Sequence, residues 1–213
     1  MQATAREIHN RGDTHKVISQ FWSKRQKTAF WCESIPELEY CYHLELDRSV
    51  ETYRTQPRTV RYEFAGTWHS HTPDFEVRRR SRTRPLYVNV KPASIASYHE
   101  FVAEAEAITR ALAREGADHK VVTAEYIAQE PLLSNLKLLY LHSDRLITVE
   151  MRDAVLAQMA LHHSTTASVV LDWLRPFQGD IGLVWALVAQ GRLNCDLMQP
   201  LTGDATVSME LTR

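Results

Sequence analysis

An apolar strand followed by a long amphipathic helix is the feature of this sequence that most constrains its fold. Residues 86–91 read Leu-Tyr-Val-Asn-Val-Lys and stop at Pro92. Such an apolar run is typical of a strand buried inside a sheet, and proline ends it because it cannot donate to the ladder. Residues 95–114 then place Phe101, Ala105, Ile108 and Leu112 on one helical face, and Gly116 follows as a stop. The sequence therefore predicts a central strand covered by a helix.

The elements around this unit extend it to an α/β domain with a mixed sheet over residues 1–127. Residues 34–46 carry apolar side chains at helical spacing, and residues 59–64 and 68–77 predict a hairpin that turns at Gly66. Residues 120–126 are β-branched and predict a further strand. Before these elements lies an N-terminal arm, in which a short helix is expected over residues 16–22. The predicted element order is a helix, three strands, a helix and a strand. This order is found in α/β and α+β folds.

A change of composition at residue 128 predicts a second, mostly helical domain over residues 128–213. Helices are expected over residues 132–141, 149–162, 167–174 and 181–190, and short strands over 191–197 and 206–210. Helices followed by two short strands are the layout of a winged helix, which can bind DNA or protein.

The distribution of charge divides the chain near residue 92 into a basic and an acidic part. The 213 residues have a net charge of −1, but residues 1–92 contain 16 basic and 11 acidic side chains, which leaves a balance of −6 for the remainder. A basic surface suits the phosphate backbone of DNA, whereas the acidic part favours a protein partner. Two basic runs occur in the first part, each readable as a DNA contact or as a solvated loop: Lys24, Arg25 and Lys27, then Arg78, Arg79, Arg80, Arg82 and Arg84.

The cysteines and the N-terminus predict a cytoplasmic protein without a membrane partner. Cys32, Cys41 and Cys195 fit no zinc or redox spacing, which favours a reducing compartment. Residues 2–16 are polar, and no apolar stretch reaches the roughly 18 residues that a bilayer span requires.

An aspartate and a lysine near the ends of neighbouring strands are the first candidates for chemistry. Asp74 lies in Thr-Pro-Asp-Phe, and Lys91 follows it on the next strand. A carboxylate there can hold a divalent metal ion, while an ammonium group can orient water and offset charge on a phosphate. A turn aspartate and a solvated lysine are the alternative. Glu37 is a third candidate, although Ser34 and Glu37 also have the spacing of a capping box.

With these residues placed, the sequence resembles the TnsA family, the endonuclease subunit of heteromeric transposases. The resemblance rests on residues 34–50, reading Ser-Ile-Pro-Glu-Leu-Glu-Tyr-Cys-Tyr-His-Leu-Glu-Leu-Asp-Arg-Ser-Val, on Tyr53, on Gln56-Pro57, and on residues 72–75 and 88–92. Residues 187–201 are similar, more loosely, to the winged-helix region at the C-terminus of that family. The resemblance implies a restriction-endonuclease-like fold of the PD-(D/E)XK class.

The resemblance also implies catalytic roles for Glu37, Asp74, Lys91 and Asn89. Glu37, Asp74 and Asn89 would hold Mg²⁺, for which Mn²⁺ would substitute. Asn89 departs from the acid or glutamine usual two residues before the lysine, and its neutral, short amide would weaken metal binding. Glu39 competes with Glu37 on the same helix, but two residues apart they point in different directions.

The activity implied is Mg²⁺-dependent cleavage of the 5′ ends of a transposon. The partners implied are transposon-end DNA, a TnsB-type transposase and a TnsC-type ATPase, which binds the C-terminal part, and the protein would associate with the bacterial nucleoid during transposition. The arginines of residues 78–84 are expected beside the site, where with His71 they would contact DNA. A stand-alone PD-(D/E)XK nuclease and a non-catalytic adaptor in the transposition complex are the alternatives.

Two histidines and three tryptophans offer weaker alternatives. His69 and His71 share a strand face and could imitate a metal pair, although no third ligand has a suitable spacing. Trp22, Trp31 and Trp68 could stack on bases, but burial in a core is the commoner fate of tryptophan.

Overall fold

The computed structural model describes residues 18–209, which form two compact units, one ending at Ala128 and the other beginning at Gln129. The first unit is built on a four-stranded sheet, with its strands in the spatial order β3-β6-β7-β8. These strands are β3 (Val50–Thr55), β6 (Phe75–Arg79), β7 (Leu86–Lys91) and β8 (Asp118–Thr123). Strand β7 pairs antiparallel with β6 and parallel with β8, so the predicted mixed sheet is confirmed.

Strand β7 is central, as the apolar run predicts, and its residues 87–90 are all buried. The helix after it is interrupted, because Ser97 and Tyr98 separate α2 (Ala93–Ala96) from α3 (His99–Arg114). Helix α3 buries Ile108 and Leu112 in the same cluster as Tyr87 of the sheet. Gly116 follows at a φ of +74°, in the left-handed region that glycine adopts without strain. The predicted helix and its stop are therefore confirmed, apart from the break.

Helix α1 (Ile35–Leu46) begins at Ser34, whose side-chain oxygen accepts a hydrogen bond from the backbone N–H of Glu37. The short helix α4 (Ala124–Ile127) follows β8 directly, with Thr123 as its N-cap. The β-branched stretch therefore ends as a strand at Thr123, three residues before its predicted end.

Two hairpins complete the first unit, and both correct the predictions. Residues 19–22, expected in a helix, lie in β1 (Ser19–Ser23), which pairs with β2 (Thr28–Cys32); residues 16 and 17 are outside the described part. Phe21 is buried beside its pair Phe30, and alternate burial along β1 explains the strand. The second hairpin joins β4 (Val60–Phe64) to β5 (Thr67–His71), so the predicted strand over 68–77 is two strands in separate sheets.

The second unit contains four α-helices, a short 3₁₀ helix (Arg175–Phe177) and a small sheet within the described residues. The helices are α5 (Leu132–His142), α6 (Val149–His162), α7 (Ala167–Leu174) and α8 (Ile181–Ala189), which confirms the predicted helical segments. The sheet has the order β10-β11-β9 and consists of β9 (Ser164–Thr166), β10 (Asn194–Cys195) and β11 (Thr206–Ser208). Across residues 18–209, no helix combines the length and the apolar character that crossing a bilayer would require.

Candidate active site

A cleft of about 710 Å³ opens in the first unit where β7 ends and β6 begins. Three of the predicted catalytic residues, Glu37, Asp74 and Lys91, line it, together with His71. The remaining lining residues include Glu33, Ser34, Thr72, Val90, Pro92 and Ala124. Glu37 and Lys91, which are 54 positions apart in the chain, therefore lie in one concave surface.

Asp74 is held by the strand next to it. Phe75 pairs with Val88 in the antiparallel ladder, so Asp74 reaches the level of Asn89 and Val90. Its Oδ2 accepts hydrogen bonds from the backbone N–H of Val90 at 2.7 Å and from Nδ2 of Asn89 at 3.3 Å. Its carbonyl oxygen accepts a bond from Gln56 at 2.9 Å. The Asp74 backbone and carboxylate are therefore fixed before any ligand arrives.

Glu37 lies in the first turn of α1 and both caps the helix and lines the cleft. The Ser34 hydroxyl donates to Oε1 at 2.8 Å, and the Glu33 N–H donates to Oε2 at 2.9 Å. Burial raises the pKa of Glu37, and the negative charge of Asp74 raises it further. The capping and catalytic interpretations of Glu37 are thus compatible, whereas Glu39 is not among the lining residues.

These two carboxylates suit a hard divalent cation. Mg²⁺ is commonly bound by one or two carboxylates and completes its octahedron with water or substrate oxygens. The mutual repulsion that raises the pKa of Glu37 is what a bound cation would relieve. Within residues 18–209, no group of three or more histidine, cysteine or acidic residues has the arrangement of a metal site.

Asn89 lies beside this pair but does not line the cleft. It is buried on β7, and its Oδ1 lies 3.0 Å from Nε2 of His71 and 2.9 Å from Nε2 of His119. Burial, followed by the repulsion that a protonated His71 would exert, lowers the pKa of His119 to about 4. His119 was not among the predicted site residues. Only the parallel pairing of β7 with β8 brings it next to the site, and no sequence motif marks it.

Residues 47–124 match the family described as "TnsA-like endonuclease N terminal". This segment is a TnsA-like domain. It contains Asp74, Asn89 and Lys91, and it begins at the end of α1, the helix that carries Glu37. The chain has no match among curated proteins.

In this TnsA-like domain, the arginines of residues 78–84 are not where the sequence placed them. Strands β6 and β7 are antiparallel, so the loop joining them lies at the opposite end of the sheet from Asp74 and Lys91. Five residues of β6 at about 3.4 Å each make this separation about 17 Å. The expectation that the loop emerges beside the site is therefore wrong. The loop connects the end of β6 to the start of β7, whereas Asp74 and Lys91 lie at the start of β6 and the end of β7.

Most of these arginines also have acidic neighbours in the TnsA-like domain. Glu76 pairs with Arg78 at 3.0 Å, and Asp47 pairs with Arg79 at 2.6 Å. Asp118 lies 4.0 Å from Arg82 and 3.3 Å from Arg84. The side chain of Arg80 is exposed. Their positive field is therefore partly neutralised by the protein itself, and DNA contact by this run stays a prediction.

The first basic run has a mixed arrangement. The Arg25 guanidinium donates to the backbone carbonyl oxygens of Val50, of Glu45 at 2.5 Å and of Asp47 at 3.0 Å. It therefore joins the β1–β2 turn to the end of α1. Lys27 is exposed at a φ of +53°, and Lys24 is half-buried. Among these three residues, Arg25 has the contacts of a structural group.

The two neighbouring histidines have different surroundings. His69 stacks on Tyr62 with ring centroids 5.5 Å apart and hydrogen-bonds Thr67, whereas His71 lines the cleft. The alternative of a metal pair has no support from these contacts. Trp22 and Trp68 are exposed, and Arg61 lies over the Trp68 ring at 5.3 Å.

Proposed function

We propose that this chain is a Mg²⁺-dependent DNA endonuclease that cleaves the 5′ ends of a transposon. The observation that carries the proposal is the convergence of Glu37, Asp74 and Lys91 in one cleft at the edge of a TnsA-like domain. An acid pair beside an ammonium group is the composition that metal-assisted hydrolysis of a phosphodiester needs.

The residues of the cleft would divide this work. Glu37 and Asp74 would hold Mg²⁺, which when bound lowers the pKa of coordinated water and offsets charge on the phosphate oxygens. The Val90 N–H keeps one oxygen of Asp74 in place, and the bonds from Glu33 and Ser34 do the same for Glu37. The Lys91 ammonium, at the end of β7, would stabilise the negative charge that builds on the phosphate during attack.

We further propose that the two units have separate partners. Residues 1–127 would act on transposon-end DNA, and residues 128–213 would be a winged-helix-like domain that binds protein. The helices followed by short paired strands of the second unit and its acidic balance favour this assignment. A TnsB-type transposase would recognise the ends and a TnsC-type ATPase would contact the second unit, as the family resemblance implies.

The test combines the full chain with its transposase partner, transposon-end DNA and Mg²⁺ or Mn²⁺. The native chain should cut the 5′ strands, and Asp74→Ala should not, while cutting of the 3′ ends by the transposase continues. If neither the native chain nor the Asp74→Ala variant cleaves the 5′ strands, the enzyme assignment is overturned and a non-catalytic adaptor in the transposition complex is favoured. Efficient cutting of DNA without any partner would instead identify a stand-alone nuclease.

A further inference from the structure

A row of polar contacts leads from the cleft through the buried Asn89 to Thr109, an exposed residue of α3. It begins at His71, passes through the Asn89 amide and reaches His119 on the adjacent strand β8, with contacts of 3.0 and 2.9 Å. Beyond it, Thr109 Oγ1 of α3 lies 2.8 Å from Nδ1 of His119 and 2.8 Å from the carbonyl oxygen of Ala105. Neither His119 nor Thr109 lines the cleft.

The hydrogen-bond inventory determines which way the Asn89 amide is turned. Its Nδ2 faces the Asp74 carboxylate, which when ionised can only accept hydrogen bonds, so the nitrogen must be on that side. The oxygen then faces both histidine rings and needs a donor from each. Both rings therefore carry a proton on Nε2.

The same hydrogen-bond partners indicate whether Nδ1 of each ring donates or accepts. A neutral imidazole that is protonated on Nε2 accepts at Nδ1. For His119 the donor is the Thr109 hydroxyl, whose single proton then goes to Nδ1 of His119, while the carbonyl oxygen of Ala105 still accepts the backbone N–H of the helix. For His71, which lines the cleft, Nδ1 has no hydrogen-bond partner in the described part of the chain, so it is the ring nitrogen available to the cleft.

We propose that Asn89 and His119 are positioning residues: Asn89 joins Asp74 to His71, and His119 holds the Asn89 oxygen so that His71 presents an accepting Nδ1 to water in the cleft. This inference rests on the proposed function, because positioning His71 towards water matters only if the cleft catalyses hydrolysis. It replaces the expected contact between Asn89 and the metal, because the Asn89 oxygen already receives two N–H groups. The metal ligands from side chains are then Glu37 and Asp74.

The first test reads the histidine tautomers by ¹⁵N NMR of the full chain without metal. We expect His71 on the Nε2–H tautomer in the native chain and in His119→Gln, whose amide can still donate to Asn89. In His119→Leu the His71 ring should move towards an average of the two tautomers. The matched control is His69→Gln on the same strand, which should leave His71 unchanged. An unaltered His71 signal in His119→Leu would overturn the proposal.

The second test measures Mn²⁺ affinity by calorimetry. Asn89→Ala should weaken Mn²⁺ binding by no more than about 10- to 100-fold, because it removes a hydrogen bond to Asp74 and not a ligand, whereas Asp74→Ala should lose binding. Loss of binding in Asn89→Ala, with a native circular dichroism spectrum, would make Asn89 a ligand and overturn the proposal. A variant of Asn89 that does not fold is replaced by His119→Leu, at a half-buried position, for which no greater weakening is expected.

The third test uses cleavage in the presence of the partners. His119→Leu should lower kcat by about 10- to 100-fold with little change in KM, the usual effect of removing support from a catalytic group. His119→Gln should recover most of the rate. Equal rates in the leucine and glutamine variants would count against positioning. A native chain that never cleaves would refute the proposed function, while the tautomer and Mn²⁺ results would still decide the role of Asn89.

Discussion

The backbone N–H of Val90 donates a 2.7 Å hydrogen bond to the carboxylate of Asp74. This bond joins the start of β6 to the end of β7, one residue before Lys91. Because the donor is a main-chain group, the position of the carboxylate depends on the sheet and not on a flexible side chain. The geometry between Asp74 and Lys91 is therefore built into the register of two neighbouring strands.

Substitution of the two acids on α1 should separate their roles. Glu37→Gln should reduce 5′-strand cleavage by at least about 100-fold, since it removes a charge that faces Asp74 in the cleft. Glu39→Gln should cleave at the native rate. Rates are measured with the transposase partner and Mg²⁺. Normal cleavage by Glu37→Gln together with loss in Glu39→Gln would reverse the assignment.

Divalent metal should stabilise the folded chain through the same acids. At a Mg²⁺ or Mn²⁺ concentration 100 times Kd, binding adds about 2.7 kcal/mol to the free energy of unfolding. Because burial and Asp74 raise the pKa of Glu37, a proton competes with the metal, and the thermal shift should grow as pH rises through that pKa. Differential scanning fluorimetry at two pH values measures it. A shift of native size in Asp74→Ala would place the metal elsewhere.

Much of the site was predictable because its elements are local in the sequence. The spacing of Ser34 and Glu37 predicts a helix start, and residues 86–91 predict a central strand, so the resemblance could assign Glu37, Asp74 and Lys91. These three residues do line one cleft. Local patterns were sufficient wherever burial of a single strand or helix face decided the structure.

The errors arose where strand pairing decided the structure. The hairpin pattern over residues 59–77 did not reveal that β5 and β6 enter different sheets, and the arginine loop was placed at the wrong end of its strands. His119 reaches Asn89, which lies 30 residues earlier in the chain, only through the parallel pairing of β7 and β8. Such pairings depend on the whole sheet, and single-sequence periodicity does not contain them.

Arg25 should matter for stability more than for DNA binding. Arg25→Ala removes donors to three backbone carbonyl oxygens and should lower the free energy of unfolding by about 1.5–3 kcal/mol. Lys27→Gln, on the same turn and exposed, should stay within about 0.5 kcal/mol. Urea denaturation gives both values, and DNA affinity is measured alongside. Native stability with weakened DNA binding in Arg25→Ala would instead make it a DNA contact.

The carboxylate of Asp47 should make the free energy of unfolding depend on pH. Burial would raise its pKa, but the hydrogen bonds from Ser49, at 2.7 and 2.9 Å, and from Arg79, at 2.6 Å, outweigh burial and lower it. A lowered pKa in the folded state means that the stabilisation is complete above the ordinary aspartate pKa of about 3.9 and is lost as pH falls through the folded value.

Asp47→Asn should therefore lower the unfolding midpoint at pH 7, and the difference from the native chain should shrink as pH falls below about 3.9. Glu51→Gln, at an exposed position on the adjoining strand β3, serves as the matched control and should show no such dependence. Thermal unfolding followed by circular dichroism between pH 2.5 and pH 7, values chosen to bracket that pKa, supplies the comparison. A difference for Asp47→Asn that is constant across this range would show that Asp47 acts through packing and not through its charge.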